Sequence, residues 1–166
     1  MKILVLGSGA REHAIILSLR SEADDHEIFA APGNAGIAQD ATLVDLDQLD
    51  GAAIAAFANE RGVDLVVVGP EAPLVAGVAD VLRERGIPVF GPGRAAAQLE
   101  GSKAFAKRIM DAAGVPTGRA VRASTPAEVE AAFDDLGAPH VVKADGLAAG
   151  KGVIVTTDRA EALAHA

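Results

Sequence analysis

The sequence of 166 residues contains no cysteine, tryptophan or tyrosine, and it has only five phenylalanines. The absence of cysteine excludes disulfides and thiolate metal sites, and it agrees with a reducing compartment. So few aromatic rings leave no stacking platform for single-stranded nucleic acid. The core must therefore be built from aliphatic side chains and alanine.

Positive charge is also scarce, because 15 Lys and Arg residues stand against 23 Asp and Glu residues, which gives a net charge of −8. This balance argues against a general nucleic-acid binder, which needs a basic face. No apolar run is long enough to span a membrane, and the N-terminal Met-Lys passes straight into a strand-like run without the features of a signal peptide. We therefore expect a cytoplasmic protein with neither nucleic acid nor a membrane as a partner.

Glycine, by contrast, is concentrated in one loop within residues 141–157. Two β-branched runs, 141–142 and 153–157, flank this loop and predict a hairpin whose tip has little side-chain bulk. The backbone N–H groups of such a tip approach an anion closely, and Lys143 and Lys151 bracket it with positive charge. The pattern favours a grip on a polyphosphate. A flexible hairpin with solvated lysines is the alternative that spacing alone leaves open.

The loop does not have the spacing of a Walker A motif. That motif needs four residues between its first glycine and Gly-Lys-[Ser/Thr], and it opens a helix. Here Leu147–Ala149 separate Gly146 from Gly150, and Gly152 follows Lys151 where Ser or Thr is required. Because a β-rich run comes next, a flap between antiparallel strands that closes over the phosphates fits better than a P-loop.

An alternation of strands and helices occupies the N-terminal part of the chain. The pattern predicts strands at 2–6, 27–31, 64–68 and 87–90, and helices at 14–20, 48–61 and 74–85. Strands that alternate with helices of this length imply right-handed βαβ units and a parallel sheet. We therefore predict an α/β, Rossmann-like domain over residues 1–101.

Three unusual loops, at 7–13, 32–36 and 69–73, follow strands of this predicted sheet. Ligands of parallel sheets bind outside the carboxyl ends of the strands, where all three loops should meet. The first loop is a Gly-x-Gly turn before a helix, whose N-terminus suits a phosphate or carboxylate. Glu12 replaces the third glycine of the dinucleotide fingerprint, and the second strand does not end in a ribose-binding acid. NAD is therefore disfavoured, whereas a smaller phosphorylated ligand suits the turn.

A second unit follows a helical bridge. The pattern predicts a break near Gly101, a helix capped by Ser102 that runs to Ala113, and a bridging segment at 102–117. Residues 118–166 then predict a short strand, a helix that opens at 124–126, the hairpin and a helix from about residue 158. Lys103 lies in a first helical turn, where the dipole disfavours a lysine, which gives it a claim to an anionic ligand. For Lys107 and Arg108 a solvated face is the simpler interpretation.

Six segments, in this order, resemble the phosphoribosylamine–glycine ligase (glycinamide ribonucleotide synthetase) family of ATP-grasp enzymes. They are Gly-Ser-Gly-Ala-Arg-Glu-His (7–13), Ala-Pro-Gly-Asn-Ala-Gly (31–36), Val-Gly-Pro-Glu-Ala-Pro-Leu-Val (68–75), Phe-Gly-Pro (90–92), Leu-Glu-Gly-Ser-Lys-Ala-Phe (99–105) and Lys-Ala-Asp-Gly-Leu-Ala-Ala-Gly-Lys-Gly-Val (143–153). The resemblance covers essentially the whole chain, but the family is much longer. It implies an N-terminal portion: a pre-ATP-grasp domain followed by a partial ATP-grasp lid subdomain at 118–166.

The resemblance implies a ligase of de novo purine synthesis that joins glycine to 5-phosphoribosylamine. Glycine attacks the γ-phosphate of ATP to give glycyl phosphate, and the amine then forms glycinamide ribonucleotide with release of ADP and phosphate. Such chemistry depends on phosphate positioning and charge neutralisation, and no residue is assigned as catalytic. The resemblance also implies ATP with Mg²⁺ or Mn²⁺, with no metal ligand in this chain. We expect the chain alone to be an inactive fragment.

The resemblance implies two groups of site residues. Those for ATP are Lys103, Lys143, Asp145, Gly146, Gly150, Lys151 and Gly152. Those for the substrate are Gly7, Gly9, Arg11, Glu12, His13, Gly33, Asn34, Gly36, Gly69, Pro70 and Glu71. Glu12, His13 and Glu71 are the candidates for polar contacts. A structural hydrogen-bonding role for His13, at a helix start, is equally consistent with the sequence.

Two other functions share these features. Another ATP-grasp ligase or carboxylase would have the same front end but different loops at 31–36 and 68–75. A non-catalytic module that binds a phosphosugar or a nucleotide would need no second half of the catalytic site. The incomplete catalytic half favours this module for the chain as it stands, whereas Lys103, Lys143 and the complete glycine loop favour the enzyme for the parent protein.

Overall fold

The computed structural model describes residues 1–22, 25–148 and 150–166. The chain divides into two compact units, residues 1–98 and residues 99–166. Ala149, part of the predicted flap, lies outside the described residues. Every helix in the described ranges is too short or too polar to cross a membrane.

Unit 1 is built on a five-stranded parallel sheet, which confirms the predicted α/β class. Its strands are β1 (Lys2–Gly7), β2 (Glu27–Pro32), β3 (Thr42–Leu43), β4 (Leu65–Val68) and β5 (Val89–Phe90), in the spatial order β3-β2-β1-β4-β5. In the central strand, Leu4 pairs with Phe29 on one side and with Val66 on the other. The sequence pattern does not reveal β3, because its two residues have exposed side chains and leave no period.

The helices of unit 1 differ from the prediction mainly at their starts. They are α1 (Ala10–Arg20), α2 (Gly51–Arg61), α3 (Glu71–Ala76) and α4 (Val78–Glu84), and α5 (Arg94–Gly101) follows β5. The single helix predicted at 74–85 is wrong, because the chain turns at Gly77, whose φ of 91° is left-handed. The helix after β1 begins at Ala10, so Arg11, Glu12 and His13 lie in its first turns.

Both faces of β1 are buried, so the core of unit 1 lies on the two sides of this strand. Leu4 and Leu6 pack on one face in a cluster that includes Ile54 of α2 and Leu82 of α4. Ile3 and Val5 pack on the other face with Ile16 of α1. Because alternate side chains of a strand point to opposite faces, a strand covered on both faces has a continuous apolar sequence.

Unit 2 contains a helical start and an antiparallel hairpin. Its elements after α5 are α6 (Lys103–Ala112), α7 (Pro126–Leu136), β6 (His140–Lys143), β7 (Val153–Thr156) and α8 (Arg159–His165). Val142 of β6 pairs with Ile154 of β7, so the predicted hairpin is confirmed. Side-chain caps explain where the helices begin: Ser102 caps α6, Thr125 caps α7 and Asp158 caps α8.

One predicted element of unit 2 is wrong. Residues 118–123 form no strand, since they make no ladder with a described strand. A strand needs a hydrogen-bonded neighbour as well as a suitable sequence, and only the tertiary structure provides one.

Unit 2 has a small core in the residues that the structure describes. Its buried apolar side chains are those of Phe133 and Ala162, and the Phe133 ring lies 4.4 Å from that of His140. Val141 and Val155, which pair across the hairpin, are both exposed. A two-stranded hairpin with so little burial contributes little independent stability.

The main stability of unit 1 should depend on the central strand. Leu4→Ala removes a side chain that is 0% exposed, so it should lower the free energy of unfolding by about 2–5 kcal/mol. The matched control is Leu17→Ala in α1, where the side chain is 49% exposed and the loss should be below about 1 kcal/mol. Urea unfolding followed by circular dichroism measures both. Equal losses would contradict the assignment of the core.

Candidate functional site

The three loops predicted to meet at one edge of the sheet are in contact in unit 1. The Gly33 amide donates to the Gly7 carbonyl over 3.1 Å, and the Asn34 side-chain amide donates to the Ser8 carbonyl over 2.8 Å. The Gly69 amide donates to the carbonyl of Leu6 at the end of β1, also over 3.1 Å. The carboxyl ends of β1, β2 and β4 therefore present one continuous loop surface, as parallel topology requires.

A buried carboxylate, that of Glu12, lies at the centre of this surface. Glu12 is 3% exposed, and its Oε2 accepts a 2.7 Å hydrogen bond from the Gly9 amide. A Cβ on Gly69 would lie 2.3 Å from Glu12 Oε1, and one on Gly7 would lie 2.6 Å from its Cγ. The glycines of two loops thus make room for this carboxylate. The Glu12 carboxylate also occupies part of the α1 N-terminus, where the sequence predicts the phosphate or carboxylate of a ligand.

Arg11 joins Glu12 to Glu71 across the loops. Its Nε donates to Glu12 Oε1 over 3.0 Å, and its Nη1 donates to Glu71 Oε1 over 3.0 Å. The hydrogen bond from Arg11 lowers the pKa of the Glu71 carboxyl, with help from the backbone N–H of Glu71. The same pairing raises the pKa of Arg11. Two carboxylates face one guanidinium, so the cluster suits a ligand group that donates hydrogen bonds, such as a hydroxyl or an amine.

His13 is held by a residue that the sequence analysis missed. Its Nε2 lies 3.0 Å from Oδ2 of Asp40, and both side chains are partly buried. Asp40 follows a short 3₁₀ turn that begins where the Asn34 Oδ1 accepts from the amides of Gly36 and Ile37, at 2.7 and 3.0 Å. No sequence motif singles out Asp40, because only this turn brings it to His13.

The remaining predicted residues of this surface serve its backbone geometry. Gly33 has a φ of 67°, and a Cβ there would lie 2.4 Å from Leu43 Cδ2. A Cβ on Gly36 would lie 3.2 Å from His13 Cε1. Pro70 occupies the N-cap position of α3, directly before Glu71. These residues thus shape the loops beside the helix starts at which Arg11, Glu71 and His13 present their polar groups.

In unit 2 the glycine loop begins against the start of α6. The Lys103 amide donates to Asp145 Oδ1 over 2.6 Å, and its Nζ donates to the Gly146 carbonyl over 2.9 Å. Desolvation raises the pKa of Asp145, but hydrogen bonds from the Ser102 hydroxyl and from backbone amides outweigh it, so this pKa lies below its ordinary value. The structure therefore brings Lys103, Asp145 and Gly146 together.

Two further glycines in the described part of the loop, Gly150 and Gly152, have a left-handed and a closely packed backbone, respectively. Gly146 and Gly150 have φ values of 93° and 76°, and among the described residues other than each glycine and its chain neighbours no heavy atom lies within 4 Å of a Cβ built on either. The Ala144 amide donates to the Gly152 carbonyl over 2.7 Å, and a Cβ on Gly152 would lie 2.9 Å from the Cβ of Ala148.

The lysines that bracket the loop are exposed. Lys143 ends β6 opposite Val153, and Lys151 comes just before β7. Among the described residues, no cluster of three or more His, Asp or Glu side chains is arranged to hold a metal. Unit 2 thus offers cationic side chains beside a glycine-rich backbone, which suit an anion such as a polyphosphate.

Two family models match the chain end to end. The model described as "Phosphoribosylglycinamide synthetase, N domain" matches residues 1–100, and "Phosphoribosylglycinamide synthetase, ATP-grasp (A) domain" matches residues 101–166. The chain belongs to the phosphoribosylglycinamide synthetase family. This confirms the resemblance seen in the six sequence segments.

Curated relatives share the whole length of this chain but extend well beyond it. The chain is 76% identical over 167 residues to phosphoribosylamine–glycine ligase of Leifsonia xyli subsp. xyli, and 63% identical over 166 residues to that of Streptomyces coelicolor. Each match covers 100% of this chain and 40% of the relative. The chain therefore spans about 40% of the length of these relatives.

Solved structures support the fold. Phosphoribosylamine–glycine ligase from Thermotoga maritima has a TM-score of 0.78 at 33% identity, over 99% of this chain and 38% of that one. N5-carboxyaminoimidazole ribonucleotide synthetase from Thermus thermophilus has a TM-score of 0.75 at 24% identity, over 98% of this chain and 42% of that one. The second match reflects the fold alone.

The Arg11–Glu71 pair should be visible in a pH titration. Because the folded-state pKa of Glu71 is lowered, its stabilising contribution is complete above the ordinary carboxyl range and is lost as pH falls through the folded pKa. Arg11→Ala should return the Glu71 midpoint toward the ordinary value of about 4.3 in an NMR titration of the side-chain carboxyl.

The control for this titration is Arg85→Ala. It removes another guanidinium of unit 1, one that donates to the Ala52 carbonyl over 3.2 Å. The Glu71 midpoint should keep its wild-type value in that variant. A midpoint that stays low in Arg11→Ala would show that Arg11 is not what stabilises the Glu71 carboxylate.

Proposed function

We propose that this chain, with the further length found in its relatives, acts as an ATP-dependent ligase that joins glycine to 5-phosphoribosylamine. The products are glycinamide ribonucleotide, ADP and phosphate, with glycyl phosphate as the intermediate. One observation carries the proposal: the chain is 76% identical along its whole length to a protein named phosphoribosylamine–glycine ligase. This identity favours the ligase over another ATP-grasp enzyme with the same front end.

The loop surface of unit 1 is the proposed site for phosphoribosylamine. Glu71 is its most accessible carboxylate, with 44% of the side chain exposed, whereas Glu12 is buried. Hydroxyl and amine groups of the substrate donate hydrogen bonds to such a carboxylate. The partly exposed His13, fixed by Asp40, is the other polar side chain that this surface offers.

The glycine loop of unit 2 is the proposed site for the phosphates of ATP. The glycines of the loop support this assignment, because Gly150 has no side chain to hold a ligand away from its peptide, whereas the Gly146 amide and carbonyl already bond to Asp145 and Lys103. Lys143 and Lys151 would neutralise phosphate charge, which is the main requirement of phosphoryl transfer. Bound Mg²⁺ or Mn²⁺ supplies further neutralisation of the phosphates. We assign no metal ligand to this chain.

The first experiment measures ADP formation with Mg-ATP, glycine and freshly generated phosphoribosylamine. A polypeptide that extends this chain to the length of its relatives should release ADP only when both substrates are present. The 166-residue chain alone should release none beside an active Thermotoga maritima ligase as control. ADP release by the long polypeptide without dependence on phosphoribosylamine would contradict the proposed reaction. Turnover by the short chain would show that it is not an inactive fragment.

Lys143 provides a test of the nucleotide site. In the long polypeptide, Lys143→Ala should weaken ATP binding by roughly 1.5–3 kcal/mol, the range for a hydrogen bond to a charged group. The matched control is Arg122→Ala, which removes an exposed positive charge from the segment before α7. Isothermal titration calorimetry measures both affinities. An ATP affinity that Lys143→Ala leaves unchanged would remove this lysine from the site.

A further inference from the structure

One carboxylate oxygen in the glycine loop accepts hydrogen bonds from the first two amides of α6. The amides of Lys103 and Ala104 have no carbonyl partner within the helix, as at every helix start. Both donate to Asp145 Oδ1, at 2.6 and 3.4 Å. The Gly146 amide donates to the same oxygen over 3.0 Å. Donors from the helix and from the loop thus meet at a single acceptor.

The second oxygen of Asp145 is engaged through Ser102. The Ser102 hydroxyl accepts from the Phe105 amide over 3.1 Å and donates its own proton to Asp145 Oδ2 over 2.9 Å. Both carboxylate oxygens are therefore hydrogen-bonded, and the third amide of α6 is satisfied by way of the hydroxyl. A negative charge here also interacts favourably with the positive end of the helix dipole.

A second contact joins the same two segments, and in it a side chain of α6 donates to the backbone of the loop. Lys103 Nζ donates to the Gly146 carbonyl over 2.9 Å. The dipeptide Asp145–Gly146 is therefore bound to α6 through the Asp145 side chain and through the Gly146 carbonyl. Further along the loop, the Lys151 amide donates to the Ala148 carbonyl over 2.8 Å. This hydrogen bond does not involve α6.

We propose that Asp145 is a positioning residue, which fixes the root of the glycine loop to the first turn of α6. Its carboxylate occupies the helix N-terminus that an anionic ligand would otherwise take, so Asp145 contacts neither nucleotide nor metal. This replaces the direct ATP contact that the family resemblance implies for Asp145. Only the part of the loop beyond Gly146 then adjusts to a ligand. We call this attachment of Asp145 and Gly146 to the start of α6 the junction. Its role in ATP binding rests on the proposed function, whereas the contacts that form it do not.

Amide hydrogen exchange in the 166-residue chain, without nucleotide, tests the junction. Asp145→Ala should speed exchange of the Lys103, Ala104 and Gly146 amides by about tenfold, the effect of losing a helix cap. Asp145→Asn should keep most of the protection, because an amide oxygen also caps a helix. The matched control is Asp158→Ala, which removes the cap that accepts from Ala160 and Glu161 in α8. It should speed exchange at those two amides only.

Two exchange outcomes overturn the proposal. If Asp145→Ala speeds exchange in α6 but not at Gly146, Asp145 is a helix cap that does not hold the loop. If Asp158→Ala speeds exchange at Lys103 and Ala104 as much as Asp145→Ala does, the effect is a general loosening of unit 2.

A titration of the wild-type chain needs no variant and so covers the case in which Asp145→Ala does not fold. The amide resonances of Lys103, Ala104 and Gly146 should shift together with one midpoint as Asp145 is protonated. Lys103 is the other charged side chain of the junction, and its Nζ donates to the Gly146 carbonyl. Separate midpoints, or none, would overturn the proposal.

ATP binding by the long polypeptide separates positioning from ligation. A positioning role predicts weaker binding in Asp145→Ala and near wild-type binding in Asp145→Asn. Equal losses in the two variants, with the exchange protection of Asp145→Asn intact, would make Asp145 a ligand and overturn the proposal. A long polypeptide that binds no ATP would overturn the proposed function, while the exchange and titration results would still decide the junction.

Discussion

The geometry of the loop surface depends on the contacts of one buried carboxylate, that of Glu12. A charge that is 3% exposed is costly unless it is paired and hydrogen-bonded, and Arg11 and the Gly9 amide provide these partners. The space that the carboxylate fills is left by Gly7 and Gly69, which belong to loops after two different strands. The position of each loop is thus fixed by its contact with one acidic side chain.

A similar device occurs in unit 2. Asp145 reaches the N-terminus of α6 as Glu12 reaches that of α1, and each carboxylate accepts from backbone amides at a helix start. In both places a glycine lies next to the carboxylate in space. The difference is in reach: Glu12 caps its own helix, whereas Asp145 comes from a loop 42 residues away in sequence. Asp145 therefore links the glycine loop to α6, whereas Glu12 arranges the turns around its own helix, α1.

The charges of the two units suit different ligand groups. On the loop surface of unit 1, Glu12 and Glu71 outnumber the Arg11 guanidinium, which favours ligands that donate hydrogen bonds. At the glycine loop of unit 2, Lys143 and Lys151 are exposed and bracket a glycine-rich backbone. An amine or hydroxyl substrate in the first place and a polyphosphate in the second agree with the proposed ligase.

The sequence by itself determined the fold class and the positions of most elements. Continuous apolar runs such as 2–6 predict strands buried on both faces, and the caps at Ser102, Thr125 and Asp158 mark where helices begin. These signals are local, because they depend on the period of burial and on the hydrogen bonds of one turn. The six family segments are also a property of the sequence, and the family models confirm them.

Only the tertiary structure decided which polar groups are partners. Asp40 reaches His13 through a 3₁₀ turn, and Asp145 reaches Lys103 across 42 residues, so neither contact leaves a sequence pattern. The two-residue strand β3 was missed because its exposed side chains leave no period, and the turn at Gly77 was missed because a single glycine inside a helical pattern does not by itself end a helix. Residues 118–123 show the converse, because a strand-like sequence without a neighbouring strand forms no ladder. Long-range hydrogen bonds and strand pairing are set by where the chain returns in space, which local periodicity does not encode.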